Sequence, residues 1–337
     1  MEEIRPVKAA VVGVGYLGKF HAEKLAAMKQ AELVAVVDND PEQAEKVAAK
    51  FGVPWYTDHT RVIDQVQAVS VVVPTVYHHQ VALDFLKAGK DVICEKPMTT
   101  TLEEADELVR IAREKDLILQ VGHLERFNPA VEELFDRVHK PLFIECNRIA
   151  PFKARATDVD VALDLMIHDL DIILALVGEE PSEIRAVGVP VLGKHADIVN
   201  TRIEFPGGCV ANVTASRLAL KDERKMRVFQ PDSYLHLDFK SRKLLAVNGV
   251  EYKPGKKPKV KADRPRFGKA DPLDKELKSF INCVSKRVQP RVSGESGRRA
   301  LACALAVQKC MPTDRPDFQS LIESSRKWVG TGSEGEE

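Results

Sequence analysis

Short apolar runs alternate with amphipathic ones through the first third of the chain, and this alternation limits the fold more than any other feature. "KAAVVGVG", "AELVAVVD", "AVSVVVP", "DVICEKP" and "LILQVGH" are short and Val/Ile-rich, and read as strands. Between them, "YLGKFHAEKLAAM", "PEQAEKVAAKFG", "HHQVALDFLKAG" and "TLEEADELVRIAREKD" space their apolar residues as helices do. Pro41 opens the second of these helices and Gly52 follows its end. Thr101 and Glu104 form a capping box at the fourth. Regular alternation of this kind builds a parallel sheet covered by helices on both faces.

After about Leu124 the pattern changes. A helix, "NPAVEELFDRV", a strand, "PLFIECNRI", and a second helix, "DLMIHDLDIILALVG", lead into a series of strand-like runs. These are "EIRAVGVPV", "IVNTRIEFP", "CVANVTASRL", "KMRVFQ", "YLHLDF" and "KLLAVNG", whose spacing suits an antiparallel sheet. "PGKKPKVKADRPRFGKADP" reads as a long loop, and two helices close the chain. The expected class is α/β. A Rossmann doubly wound parallel sheet spans 1–124, and an α+β domain with a large open-faced, mostly antiparallel sheet spans 125–330. Residues 331–337 read as a disordered acidic tail.

Composition narrows the function. Lys plus Arg and Asp plus Glu balance at 50 each, which argues against a nucleic-acid surface. Six cysteines fall at no CxxC or zinc spacing, so free thiols, no metal and a reducing, cytoplasmic setting are expected. The charged start does not resemble a signal peptide, and no apolar run has membrane length.

"GVGYLG" places Gly13, Gly15, Tyr16, Leu17 and Gly18 between the first strand and the first helix, in G-x-G-x-x-G spacing. Gly13 permits the tight turn, Gly15 lets the backbone approach a pyrophosphate, and Gly18 lets helix and strand pack closely. Asp38 ends the second strand, where a carboxylate binds the adenosine ribose hydroxyls. That carboxylate repels a 2′-phosphate, and "DNDPEQ" offers no Arg or Lys, so NAD is expected rather than NADP. Further along, one strand ends at Pro74 and Thr75, with His78 opening a helix, and another ends at Glu95, Lys96 and Pro97. Strand C-termini in an open parallel sheet face the ligand crevice.

"DLMIHDLDIILALVG" is an apolar helix that carries Asp164, His168, Asp169 and Asp171. At about 100° per residue, Asp164, His168 and Asp171 fall within an arc of roughly 60°, and Asp169 points elsewhere. Ionisable groups buried among Leu, Ile and Met need partners or a use.

Together, P-x-x-x-H (Pro74 to His78), A-G-K-x-V-x-x-E-K-P (Ala88 to Pro97), R-F-N-P (Arg126 to Pro129) and D-x-x-x-H-D-x-D (Asp164 to Asp171) resemble the Gfo/Idh/MocA oxidoreductases. The resemblance covers residues 8–178 closely and the rest loosely. It implies hydride transfer between a nicotinamide cofactor and a sugar or polyol hydroxyl carbon, with Lys96, Asp164 and His168 as the catalytic group. It also implies a homodimer or homotetramer formed through the open sheet. "HLERFNPAVEEL" and "DVALDLMIHDLDII" look more like the branch acting on UDP-linked N-acetylhexosamines, where the C3 hydroxyl of UDP-N-acetylglucosamine becomes a ketone. On that reading Arg126, Asn128, Arg148 and Arg155 are candidates for the substrate's polar and diphosphate groups. The alternatives are a free sugar or inositol-type dehydrogenase of the same fold, and a non-catalytic NAD-binding regulator.

Overall fold

The computed structural model describes residues 5–152, 160–192, 194–251 and 259–311. The first domain alternates β1 (Val7–Val12), α1 (Gly18–Ala27), β2 (Ala31–Val37), α2 (Pro41–Phe51), β3 (Trp55–Tyr56), β4 (Ala68–Val71), α3 (His78–Lys87), β5 (Asp91–Glu95), α4 (Leu102–Glu114) and β6 (Leu119–Gly122). All six strands run parallel, in the order β3-β2-β1-β4-β5-β6. Strand order reverses between β1 and β4, and the crevice at the carboxyl ends of the strands opens there. β4 and β6 are buried along their full length, as strands with helices on both faces must be. The helix boundaries follow the expected caps. Asp40 accepts from Glu42 and Gln43 ahead of α2, Gly52 closes it at φ 66°, and the Thr101–Glu104 box opens α4.

The second domain holds α5 (Pro129–Arg137), β7 (Phe143–Ile149), α6 (Ile167–Val177), β8 (Glu183–Val189), β9 (Ile198–Glu204), β10 (Val210–Ser216), β11 (Glu223–Gln230), β12 (Ser233–Asp238), β13 (Lys243–Glu251) and β14 (Lys259–Asp263), then α7 (Pro272–Lys286) and α8 (Gly294–Cys310). Its eight strands lie in the order β14-β13-β12-β11-β7-β10-β9-β8, antiparallel except where β7 meets β10. β7 and β10 alternate buried and half-buried residues, so one face packs on helices and the other is open. The α/β class with two such sheets is as expected. One element differs. The stretch read as a long loop contains β14, which extends the sheet by pairing with β13, because "KVKAD" can add main-chain hydrogen bonds without an apolar face. Residues 331–337 lie outside the described residues. No helix among the described residues is long and apolar enough to cross a membrane.

The last two helices pack back against the first domain, α8 also burying Ala300, Cys303, Ala304 and Val307 in the second domain's core. Leu273, Leu277, Phe280 and Ile281 of α7 share a core with Val7 and Val11 of β1 and with Ala22 and Leu25 of α1. Leu301 of α8 joins the core on the other face of the parallel sheet. Just before α8, the Val292 carbonyl accepts from the Val121 amide at 3.0 Å, covering the edge strand β6. If α7 is a structural brace, Phe280→Ala should cost about 3–5 kcal/mol. The measurement is the urea midpoint of the whole chain, and an unchanged midpoint would show that α7 docks loosely.

Candidate active site

The glycine turn has the shape a dinucleotide needs. Gly13 adopts φ 86°, and a Cβ there would meet the Val72 carbonyl at 2.6 Å. A Cβ on Gly18 would lie 1.8 Å from the Gly13 carbonyl, whereas one on Gly15 would meet nothing within 4 Å. The space at Gly15 is therefore open to a ligand. Leu17 supplies no side-chain cap, and no acidic residue occupies the first turn of α1, so no side chain competes with an anion at this helix N-terminus. Asp38 sits beside this turn, with Oδ2 accepting from the Val14 amide at 2.7 Å and Oδ1 from the Asp40 amide at 3.1 Å. Tyr16 is 69% exposed at the turn's rim. These residues fit a dinucleotide.

Two strand ends flank the next part of the crevice. Pro74 leads into a short 3-10 turn, Thr75–Tyr77, and β5 runs into Glu95, Lys96 and Pro97. His78 joins the two loops, with Nδ1 2.8 Å from the Pro97 carbonyl and Nε2 2.8 Å from the Val73 carbonyl. It is buried and braces the two loops against each other. Behind Lys96, the Glu95 carboxylate accepts from the Lys96 amide at 3.3 Å and lies 3.4 Å from His21 Nε2. Gly122 makes room for it, since a Cβ there would meet Glu95 Oε1 at 2.7 Å. Burial works against the Glu95 charge, but His21 and Lys96 overcome it and hold the carboxyl below its usual range. Glu276, fully buried on α7, is pushed well above its usual value by burial and by the charge of Glu95.

From the second domain comes the charged helix. It begins as a π-helical turn, Ala162–Met166, and continues as α6. Single π turns inside helices are frequent at functional sites. Asp160 caps the start by accepting from the Ala162 and Leu163 amides. Lys96 Nζ donates to the Asp164 carbonyl at 2.8 Å and lies 3.4 Å from its Oδ1. His168 lies edge-on to His123, with ring centroids 6.2 Å apart. The helix thus brings Lys96, Asp164 and His168 to one place across the two domains.

The other acidic residues of the helix have different work. Asp169 receives Arg148 Nε at 2.8 Å and Nη2 at 2.6 Å. Asp171 lies 3.4 Å from Arg126 Nη1. Both arginines are buried, and Arg148 also packs over Phe239 and reaches Glu125 at 3.5 Å. Asn128 caps α5 by accepting from the Ala130 amide and donates to the Phe239 carbonyl. Arg126, Asn128 and Arg148 were expected to meet substrate. In the structure Arg148 and Asn128 are held by protein partners and Arg126 meets Asp171 through Nη1, with its Nε buried without a partner; charges this deep need a counter-charge inside the fold. Arg155 lies outside the described residues.

Sequence reasoning passed over His123, which follows β6 directly and so sits at a strand's carboxyl end. Among the described residues, both its ring nitrogens are buried without a partner, as is Nδ1 of His168. Burial, with Lys96 and Arg126, holds His123 below the ordinary histidine value, against the pull of Asp171 and Glu95. His168 is held well below it, first by burial and then by Lys96, Arg148, His123 and Arg224. The His168 ring is therefore neutral near pH 7 and free to accept a proton. Cys94, close to Lys96 in sequence, is a packed thiol, and burial pushes its pKa well up. No group of three or more His, Cys, Asp or Glu among the described residues is placed to hold a metal.

Two family descriptions match the chain. One is an oxidoreductase family with an NAD-binding Rossmann fold, over residues 7–123, and the other is the GFO/IDH/MocA C-terminal domain, over residues 147–231. The chain belongs to the Gfo/Idh/MocA oxidoreductases. UDP-N-acetylglucosamine 3-dehydrogenase of Acidithiobacillus ferrooxidans is 39% identical over 304 residues, 90% of this chain and 96% of that protein. The solved structure of that enzyme matches with a TM-score of 0.86 at 38% identity, covering 90% of this chain and 97% of the other. Myo-inositol 2-dehydrogenase of Thermotoga maritima is 27% identical over 328 residues, 92% of this chain and 97% of that protein. The chain is a dehydrogenase acting on CH–OH groups.

Three histidines give a pH signature. His78, His123 and His168 all bind protons less readily in the folded chain than in the unfolded one. Unfolded histidines titrate near pH 6.5. Below that, the unfolded chain takes up protons that these rings refuse, so the three rings' contribution to stability falls as pH falls and is flat above, while Glu276, held protonated in the fold, contributes one slope of the opposite sign. Each ring can contribute a slope of up to about 1.4 kcal/mol per pH unit. Melting temperatures at pH 7.5, 6.5 and 5.5 should show a drop confined to the last interval. His123→Leu should make that drop smaller. An equal drop in the variant would locate the effect elsewhere.

Proposed function

We propose that the chain is an NAD-dependent dehydrogenase of a nucleotide-activated amino sugar, oxidising UDP-N-acetylglucosamine at C3 to the 3-keto sugar. The observation that carries the chemistry is the meeting of Lys96, Asp164 and a neutral His168 at the strand ends beside the glycine turn. The likeness to the Acidithiobacillus enzyme, which spans nine-tenths of the chain, supports the choice of substrate. NAD would be held by Gly13, Gly15 and Gly18, with Tyr16 and Leu17 at the turn, by Asp38, and by the loops around Pro74, Thr75 and Pro97. When bound, it supplies the hydride acceptor.

The chain's own residues handle the proton and the charge. His168 accepts the hydroxyl proton in its neutral form. Lys96 donates a hydrogen bond to the same oxygen and stabilises the negative charge that develops on it. Asp164 holds Lys96 in place through its carbonyl and carboxylate. Water is kept from the back of the site by the packed strand ends, since Val71, Cys94 and Val121 are fully buried.

The open sheet face suits self-association. Phe143, Phe229 and Tyr234 stack on it with centroids 5.8 and 4.9 Å apart, the kind of apolar patch that homo-oligomers cover.

Three measurements test the reading. UDP-N-acetylglucosamine should reduce NAD, with an aminotransferase added to draw off the ketone; turnover of inositol with none on any UDP-sugar would replace the substrate. Lys96→Met and His168→Ala should each lower kcat by roughly 10²–10⁴-fold and combine less than additively. Mutants that lose melting temperature but keep specific activity would return these residues to a structural role. NAD should bind more tightly than NADP by calorimetry, and Asp38→Ala should narrow the difference. Equal wild-type affinities would remove Asp38 from cofactor selection.

A further inference from the structure

Among the described residues, the cations near His168 divide into those with a carboxylate and one without. Lys96 lies against Asp164, Arg148 against Asp169 and Arg126 against Asp171. Arg224 stands on β11 directly opposite Arg148 on β7, so both side chains leave the sheet on the same face. That face is the one on which α6 lies, because Arg148 reaches Asp169 there. The charge of Arg224 acts on His168. Among the described residues, however, no carboxylate pairs with it, and its Nε is sealed from solvent with no acceptor.

A guanidinium in this position is incomplete. Its Nε has lost water and gained nothing, which is costly for a charged donor. The rest of the side chain is partly exposed, so an anion can reach it from the cleft. Its planar fork matches two oxygens of one phosphate group. The catalytic end of the cleft is occupied by Lys96 and His168, which act on a sugar hydroxyl. An anion at Arg224 therefore belongs to the part of the substrate beyond the sugar ring.

We propose that Arg224 is the anion subsite of the substrate cleft, where it binds a phosphate of a nucleoside-diphosphate-linked sugar. This rests on the UDP-sugar reading above. It also replaces the role first expected of Arg126 and Arg148, whose charges are neutralised within the fold. A neutral polyol would leave Arg224 without a partner.

The test is calorimetry of UDP with NAD-saturated protein, comparing wild type, Arg224→Gln and Arg224→Lys. NAD saturation keeps UDP out of the dinucleotide site. Arg224→Gln should weaken UDP by about 10–100-fold, the scale of charge-assisted hydrogen bonds. Arg224→Lys should fall between the two. NAD affinity should be unchanged. The melting temperature should hold, since no internal ion pair is lost; if Arg224→Gln does not fold, Arg224→Lys carries the comparison. Equal UDP affinity in wild type and variants would overturn the assignment and leave the UDP-sugar reading standing. Absence of UDP binding to wild type would also overturn it. In that case turnover of UDP-N-acetylglucosamine decides separately whether the wider reading fails too.

Discussion

Two buried arginine–carboxylate pairs fix the rotation of α6, and the site depends on that rotation. Leu170, Ile172, Ile173 and Leu174 are buried, so apolar packing alone tolerates more than one setting of the helix about its axis. Arg148 takes hold of Asp169 from the sheet, and Arg126 takes hold of Asp171 from the segment after β6. Such pairs add little net stability, but breaking one strands a buried charge at about 3–5 kcal/mol. A wrong rotation would break both. With the helix locked, the remaining polar positions, Asp164 and His168, meet Lys96 and His123.

The same charges set protonation. His168 is half-buried with several cations near it, so its neutral form is favoured before any substrate arrives. A base must be neutral to accept a proton, and the surroundings that lower its pKa are those that stabilise an alkoxide beside it. Beneath the site the logic is reversed. Glu95 keeps its charge because His21 and Lys96 face it, and Glu276 loses its charge first through burial and then through the charge on Glu95. One negative charge is thus held behind Lys96 instead of two.

The parts of this design that local pattern controls were legible in the sequence. Gly13 and Gly18 are forced by backbone approach, which any chain making this turn must meet, and Gly15 leaves room for a ligand. Asp38 and Lys96 end strands, and strand ends can be counted. The stripe on α6 stood out because charge on an apolar helix demands an explanation. Partners could not be read in the same way. Arg148 and Arg126 resembled phosphate ligands because nothing local shows that Asp169 and Asp171 reach them across 21 and 45 residues. Arg224 was passed over for the converse reason. It lies in a run of charged residues, "KDERKMR", and its lack of a partner is a property of the folded sheet. The strand β14 was hidden because Lys259–Asp263 pairs through main-chain atoms, with a composition that suits a loop equally well.

Lys96 and His168 come from different domains, so the chemistry requires those domains to hold their relative position. The chain leaves the parallel sheet after β6 and comes back to it with α7, whose Leu277 and Phe280 are buried in the core beside β1. Val292 then bonds to Val121 at the sheet edge, and Arg291 donates to the Arg126 carbonyl at 3.0 Å and to Glu132 at 2.6 Å. Arg126 is itself the residue that holds Asp171. The returning segment therefore acts on the seam at a point that also fixes α6. A hinge at the exit from β6 would loosen the Lys96–Asp164 contact, and the return crossing restrains that motion. α7 belongs to the first domain's core by packing, and α8 is shared, with Leu301 in the first domain's core and Ala300, Cys303, Ala304 and Val307 in the second's; the site they steady is likewise shared by both.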